Sequence, residues 1–180
     1  FDAAHGGPVL WNHLTTKDFV TYENRGPVLL PDSDLDSSGA YSGSAFVRDG
    51  KIHYFYTGNV KHFDRDDYDY VLTGREQNQI HVVAENPDEL GEKRIAVGPV
   101  DCPDDIGTHV RDPKILEHDG IYYMVLGART KDDRGCVLVY TSRDLEDWNY
   151  ATRIELGEKF GFMWECPDLF ELDGELVLVC

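Results

Sequence analysis

The sequence predicts an all-β fold, with a divergent β-propeller favoured and a β-sandwich as the alternative. Short runs rich in β-branched and aromatic residues recur along the chain, and Asp-Gly turns lead into three of them. No stretch of a dozen residues places apolar side chains at helical spacing. Hairpins repeated at several tens of residues suit a propeller, in which each blade is a small antiparallel sheet.

Five runs have the composition of β-strands. Each is short, largely apolar and bounded by polar turn residues. The runs are residues 51–57, 80–84, 121–126, 137–141 and 176–179. The best candidate for a helical turn, residues 86–90, is too short to form an element of its own.

Two local patterns recur between these runs. Asp-Gly pairs at 49–50, 119–120 and 173–174 predict tight hairpin turns, because glycine accepts positive φ. The pattern Thr/Ser-Lys/Arg-Asp-Phe/Leu-x-x-Tyr/Trp occurs at 16–22 and again at 142–148. The Asp-Gly pairs are 70 and 54 residues apart, and this uneven spacing favours a divergent propeller over a regular tandem repeat.

Composition excludes several classes of function. The 180 residues carry 34 acidic and 17 basic side chains, a formal charge of −17 at pH 7, which disfavours nucleic acids and anionic membranes as partners. No apolar run approaches the roughly eighteen residues that a membrane span needs. The cysteines, at 102, 136, 166 and 180, are too widely spaced for a zinc or redox motif, so we expect no metal and no cofactor.

Three segments place polar side chains where a ligand would need them. In the first, Glu165 stands beside Trp164 and Cys166, and we expect this apolar setting to desolvate the carboxyl group and raise its pKa, as a general acid requires. The alternative is a structural glutamate that reaches solvent or an arginine. In the second segment, Pro113 biases Asp112 towards an extended conformation, and a regular strand would point Arg111 to the opposite face. Its alternative is a surface turn.

The third segment, residues 41–46, is rich in small side chains that allow a ligand close to the backbone. Gly43 in this strand could equally mark a β-bulge. The acidic loop before it, residues 32–36, lacks the twelve-residue pattern of a calcium loop.

Taken together and in this order, the three segments resemble glycoside hydrolase family 32, which contains invertases, fructanases and sucrose-6-phosphate hydrolases. The family motifs Ser-Gly-Ser-Ala, Arg-Asp-Pro and Glu-Cys-Pro-Asp-Leu-Phe stand at 42–45, 111–113 and 165–170. Residues 56–60, Tyr-Thr-Gly-Asn-Val, are similar to the strand end that follows the first motif. The resemblance covers essentially the whole chain.

This resemblance implies a five-bladed propeller, of which residues 1–180 would form about three blades as a partial catalytic domain. It implies that Glu165 is the acid/base, that Asp112 stabilises the transition state, and that Tyr41, Ser42, Arg111 and Asp112 bind substrate. The family nucleophile lies in an Asn-Asp-Pro motif that does not occur here, so we expect it upstream of Phe1, and we expect a C-terminal β-sandwich outside this chain.

Two departures from the family pattern concern the sugar subsites. Histidine and glycine stand at 5 and 6 where many members have Trp-Gly, and a tyrosine stands at 41 where phenylalanine is usual.

The expected function is that of a retaining glycosidase, in which two carboxyl groups about 5 Å apart flank the scissile bond. The substrate would be sucrose or sucrose 6-phosphate, with fructose released, in the bacterial cytoplasm. One alternative is an exo-fructosidase of the inulinase or levanase type, and another is an arabinanase-like specificity. A third is a non-catalytic carbohydrate-binding propeller whose aromatic platforms would be Trp11, Trp148 and Trp164.

Overall fold

The computed structural model describes residues 8–180, and these residues form antiparallel β-strands joined by tight turns. His5 and Gly6, singled out above for the sugar subsites, lie outside the described residues. The strands are β1 (Trp11–Thr16), β2 (Tyr22–Leu29), β3 (Ala40–Arg48), β4 (Lys51–Lys61), β5 (Arg75–Asn86), β6 (Glu89–Leu90), β7 (Arg94–Val97), β8 (Ile106–His118), β9 (Ile121–Thr130), β10 (Gly135–Ser142), β11 (Asn149–Ile154), β12 (Asp168–Leu172) and β13 (Glu175–Val179). A 3₁₀ turn, Pro99–Asp101, precedes β8.

The strands form four sheets that follow one another along the chain. Strands β3 to β6 pair in sequence order, with β7 added to β5, and β8 to β11 form a second meander. Two hairpins, β1–β2 and β12–β13, flank these larger sheets in sequence. Each of the five predicted strand runs falls inside a strand, so the all-β prediction is confirmed, and successive meanders are the arrangement of propeller blades.

The Asp-Gly pairs form the predicted hairpin turns. They join β3 to β4, β8 to β9 and β12 to β13, and in each turn both residues have positive φ, between 50° and 80°. Two consecutive residues with positive φ define the type I′ turn, whose twist matches that of the flanking strands. The pattern at 16–22 and 142–148 also folds alike twice. Asp18 and Asp144 each accept hydrogen bonds from two backbone N–H groups further along the turn.

Three apolar clusters hold the sheets together. The largest lies between the two meanders and includes Phe55, Leu126, Leu138 and Leu145. The tryptophans proposed above as sugar platforms belong to these clusters: Trp11 contacts Tyr54 and Tyr56 edge-on or tilted, and Trp148 contacts Phe55 edge-on. Trp164 packs against the third cluster. Among residues 8–180 no helix is long and apolar enough to cross a bilayer.

Candidate active site

The three segments singled out in the sequence meet in one open cleft of about 210 Å³. Strand β3, the middle of β8 and the chain entering β12 each contribute three consecutive residues to its wall. The lining residues are Ser42, Gly43, Ser44, Asp112, Pro113, Lys114, Cys166, Pro167 and Asp168. Two polar contacts tie the walls together: the Ser44 hydroxyl donates to the Pro113 carbonyl at 2.8 Å, and Lys114 pairs with Asp168 at 2.9 Å.

Asp112 is the buried carboxylate of this cleft, with 6% of its surface exposed. Its φ is +63°, and the pairing of β8 with β9 is irregular between Arg111 and Lys114. The backbone N–H of Cys166 donates to the Asp112 carboxylate at 2.8 Å. Burial raises the pKa of Asp112, although this hydrogen bond and the charge of Arg111 act in the opposite direction.

A buried polar chain fixes the backbone of Asp112. The Asp112 N–H donates to the Thr57 hydroxyl at 2.9 Å, and this hydroxyl donates to the Gln79 side chain at 2.8 Å. Gln79 donates in turn to the Val110 carbonyl, while the Val110 N–H donates to Gln77. Strands β4 and β5 of one sheet therefore hold β8 of the next at the point where it departs from regular geometry. These glutamines could not be singled out from the sequence, since alternating polar residues in a strand ordinarily indicate a solvent-facing side.

Glu165 reaches out of the cleft wall and pairs with Arg111, with Nη1 and Oε1 separated by 3.2 Å. The Glu165 side chain is 59% exposed, whereas that of Arg111 is 13% exposed. The expectation that apolar neighbours desolvate Glu165 is therefore wrong, and the Trp164 ring lies instead against Gly135 of β10. The position of Glu165 instead matches the alternative stated for this segment, a glutamate whose side chain reaches solvent or an arginine.

The expected divergence of Arg111 and Asp112 is also wrong, since both contact the two-residue segment 165–166. The alternation of side chains requires regular backbone, and the left-handed φ at Asp112 interrupts it. The arginine and both candidate catalytic carboxylates consequently share one small region.

Two glycines allow the Glu165 segment to lie directly on β9 and β10. A Cβ atom on Gly127 would stand 2.2 Å from the Trp164 carbonyl oxygen and 3.2 Å from the Glu165 Cα. A Cβ on Gly135 would stand 2.2 Å from Cδ1 of the Trp164 ring. The ring N–H of Trp164 donates to the Phe160 carbonyl at 2.7 Å, which fixes the loop before Glu165.

His109 is a further residue of this region that the sequence analysis did not single out. Its Nε2 lies 3.0 Å from the Tyr70 carbonyl and therefore donates, so Nδ1 is the acceptor that faces Nη2 of Arg111. Burial, together with the charges of Arg111 and Arg75, lowers the pKa of His109 to about 4. His109 is thus neutral near pH 7 and orients Arg111.

The predicted substrate-binding residues are only partly brought together. Ser42 lines the cleft, but Tyr41 is not among its lining residues. The Tyr41 carbonyl accepts a hydrogen bond from Trp11 at 2.8 Å, and its ring lies beside Gly39. Within the described residues no group of three or more His, Cys, Asp or Glu side chains is placed to hold a metal ion.

The chain is similar in sequence to a known family of glycosyl hydrolases. The model of the glycosyl hydrolases family 32 N-terminal domain matches residues 1–180. The sucrose-6-phosphate hydrolase of Bacillus subtilis (strain 168) is 35% identical over 184 residues, which is 99% of this chain and 36% of that protein. The Klebsiella pneumoniae enzyme of the same name is 38% identical, over 94% of this chain and 35% of its own length. The chain thus spans about a third of these relatives.

Solved structures agree with this comparison. The sucrose-6-phosphate hydrolase from Lactobacillus gasseri superposes with a TM-score of 0.80 at 34% identity, over 94% of this chain and 33% of that one. A Bombyx mori β-fructofuranosidase in complex with sucrose gives a TM-score of 0.74 at 26% identity, over 94% and 34% of the two chains. These likenesses confirm the partial propeller that the sequence predicts.

Proposed function

Because the chain belongs to glycosyl hydrolase family 32, we propose that the protein containing it hydrolyses the β-fructofuranosyl linkage of sucrose or sucrose 6-phosphate and releases fructose. The observation that carries the proposal is a pair of contacts between two neighbouring segments. Asp112 accepts the N–H of Cys166, the residue after Glu165, and Glu165 pairs with Arg111, the residue before Asp112. The names of the relatives and the sucrose complex of the Bombyx mori enzyme support this substrate class.

In this proposal Glu165 is the acid/base of a retaining mechanism. It gives a proton to the glucosyl oxygen as the fructosyl bond breaks, and afterwards takes a proton from the water that releases fructose. Its exposed position lets the carboxyl group reach a bound substrate, while Arg111 at 3.2 Å holds the group in one orientation. The partner nucleophile and a C-terminal β-sandwich would be supplied by parts of the protein outside these 180 residues.

Asp112 is proposed to accept hydrogen bonds from fructosyl hydroxyls and to stabilise the positive charge that develops on the sugar ring. Its burial strengthens such contacts, and the Cys166 N–H and the Thr57 hydroxyl fix its position before substrate arrives. Ser42 in the cleft wall would contribute a further hydroxyl to the fructosyl subsite. Tyr41 would contribute less directly, by its packing behind this strand.

The proposed reaction also implies where the enzyme works and what it binds. A sugar phosphate carries charge and does not cross a bilayer unaided, so an enzyme that uses sucrose 6-phosphate would work in the cytoplasm. The partner is a small sugar, and the charge of −17 disfavours nucleic acid. We expect no cofactor, since acid/base and nucleophilic carboxylates suffice for the reaction.

The decisive experiment compares Glu165→Gln with wild type in the whole protein, with fructose release measured from sucrose and from sucrose 6-phosphate. Loss of the general acid/base should lower kcat by about 10²- to 10⁴-fold. Glu158→Gln, an exposed glutamate in the same loop, is the matched control and should retain full activity.

Azide provides a second readout, because it attacks a fructosyl-enzyme without needing a general base. In the Glu165→Gln variant it should divert the fructosyl-enzyme to fructosyl azide, a product that a merely misfolded variant does not form. A wild-type protein that binds these sugars but releases no fructose would instead be a binding module, and an unimpaired Glu165→Gln variant would refute the assigned role.

A further inference from the structure

Arg75, at the start of β5, is a buried cation without an acid partner among the described residues. Only 8% of its surface is exposed, and its Nε is fully buried without a hydrogen-bond partner. Its guanidinium lies 4.3 Å from the centre of the Tyr70 ring. Neither a hydrogen bond from its side chain nor a carboxylate within 4.0 Å is found in residues 8–180.

This environment is unfavourable for Arg75 unless an anion binds. Leaving a buried charge unpaired is costly, and a cation–π contact offsets only part of that cost. The carboxylates closest in sequence are occupied elsewhere. Glu76 pairs with His62 at 3.0 Å, and Asp69 accepts the backbone N–H groups of Val71 and Leu72. The guanidinium is therefore preorganised to bind an anion from outside these residues.

Arg75 is connected to the catalytic cleft by a continuous series of contacts. The Tyr70 ring lies against Arg75 on one side and 4.8 Å from the His109 ring on the other. His109 contacts Arg111, which pairs with Glu165. Three side chains, those of Tyr70, His109 and Arg111, thus lie between Arg75 and Glu165 in this series.

Arg75 also lines a separate cavity of about 160 Å³ beside this series. Its polar wall contains Gln77, Thr108, the second basic side chain, Lys131, and one acidic residue, Glu76, whose carboxylate pairs with His62. Two cationic side chains in one small cavity contrast with a chain whose net charge is −17. Planar guanidinium groups bind phosphate through two parallel hydrogen bonds, which makes a phosphoryl group the anion best suited to this place.

We propose that Arg75 binds the phosphate of a phosphorylated glucosyl group and so gives the enzyme its preference for sucrose 6-phosphate over sucrose. This proposal rests on the proposed function, because it assigns the position of the leaving group beyond Glu165. Arg75 acts on substrate binding and takes no part in proton transfer.

The test measures kcat and KM of the whole protein for both sugars. Arg75→Met should raise KM for sucrose 6-phosphate roughly 10- to 100-fold, the size expected for losing a charged hydrogen-bonding group, and should change KM for sucrose much less. Arg75→Lys keeps the charge but loses the planar guanidinium group, so its KM for sucrose 6-phosphate should lie between those of wild type and Arg75→Met. Arg94→Met is the matched control and should resemble wild type, because the Arg94 side chain is 63% exposed and does not line this cavity.

Thermal unfolding with inorganic phosphate separates failure of this inference from failure of the proposed function. Phosphate should raise the Tm of wild type and of Arg94→Met, and should do so much less for Arg75→Met. An equal rise in all three proteins would overturn the inference, as would equal losses with both sugars in Arg75→Met. If wild type hydrolysed neither sugar, the proposed function would fall, while the phosphate response would still decide whether Arg75 is an anion site. If Arg75→Met did not fold, Arg75→Lys would carry both measurements.

Discussion

Replacing Gly127 by alanine would test how closely the backbone must support Glu165. Gly127 pairs with Arg111 across β8 and β9, and it touches the Trp164–Glu165 segment from behind. An added Cβ would stand 2.2 Å from the Trp164 carbonyl, whereas ordinary contacts begin at 3.4 Å, so the segment must retreat by about 1 Å. A displacement of this size in a catalytic group costs on the order of 100-fold in rate.

We therefore expect Gly127→Ala in the whole protein to lower kcat by about two orders of magnitude. Overpacking should reduce the free energy of unfolding by about 1–3 kcal/mol. Fructose release gives the rate, and urea denaturation gives the stability. Gly157→Ala is the control, because nothing lies within 4 Å of a Cβ there. Wild-type kcat in a folded Gly127→Ala variant would refute the claim that this glycine positions Glu165.

Two further predictions concern buried carboxylates, whose replacement by asparagine should change the stability of the fold in opposite directions. Burial raises the pKa of Asp112, so its ionised form destabilises the fold. Asp112→Asn should therefore raise the free energy of unfolding by on the order of 1 kcal/mol at neutral pH, with the gain vanishing below about pH 4, and urea titrations that show a loss would contradict this. Burial would also raise the pKa of Asp36, but hydrogen bonds from Lys93 and Tyr56 outweigh it and hold the pKa below the usual range. Asp36→Asn should therefore lower the free energy of unfolding by about 3–5 kcal/mol at neutral pH. The loss should become progressively smaller as pH falls through the lowered pKa, and a pH-independent loss in urea titrations would be inconsistent with this assignment.

The parts of the fold that could be predicted from the sequence are those that local chemistry determines. Three Asp-Gly pairs specify hairpin turns by themselves, since few other residues adopt two consecutive positive φ values. Asp18 and Asp144 likewise cap turns within their own segments. Such interactions span only a few residues, so the printed sequence contains all of their determinants.

For the candidate site, the sequence could predict which residues lie close together, but it could not predict what surrounds them. The motifs identified Asp112 and Glu165 correctly as neighbours, yet the surroundings expected for each were wrong. Whether Trp164 covers Glu165 depends on Gly127 and Gly135, tens of residues earlier in the chain, which leave room for the ring on the sheet. The support of Asp112 similarly comes from Thr57, on a different sheet. Contacts of this range leave no periodic signal in a sequence.

Asp112 and Cys166 lie where the two carboxyl-bearing segments meet, and both have unfavourable backbone conformations. Asp112 and Cys166 have φ of +63° and +49°, a region that costs a non-glycine residue about 1–2 kcal/mol. The hydrogen bond from the Cys166 N–H to the Asp112 carboxylate joins the two strained residues directly. In regular strands, Arg111 and Asp112 would face opposite sides, and Glu165 would have no cation beside it. The strained backbone thus accompanies an arrangement in which an arginine contacts one carboxyl group while the other carboxyl group stays buried in the cleft wall.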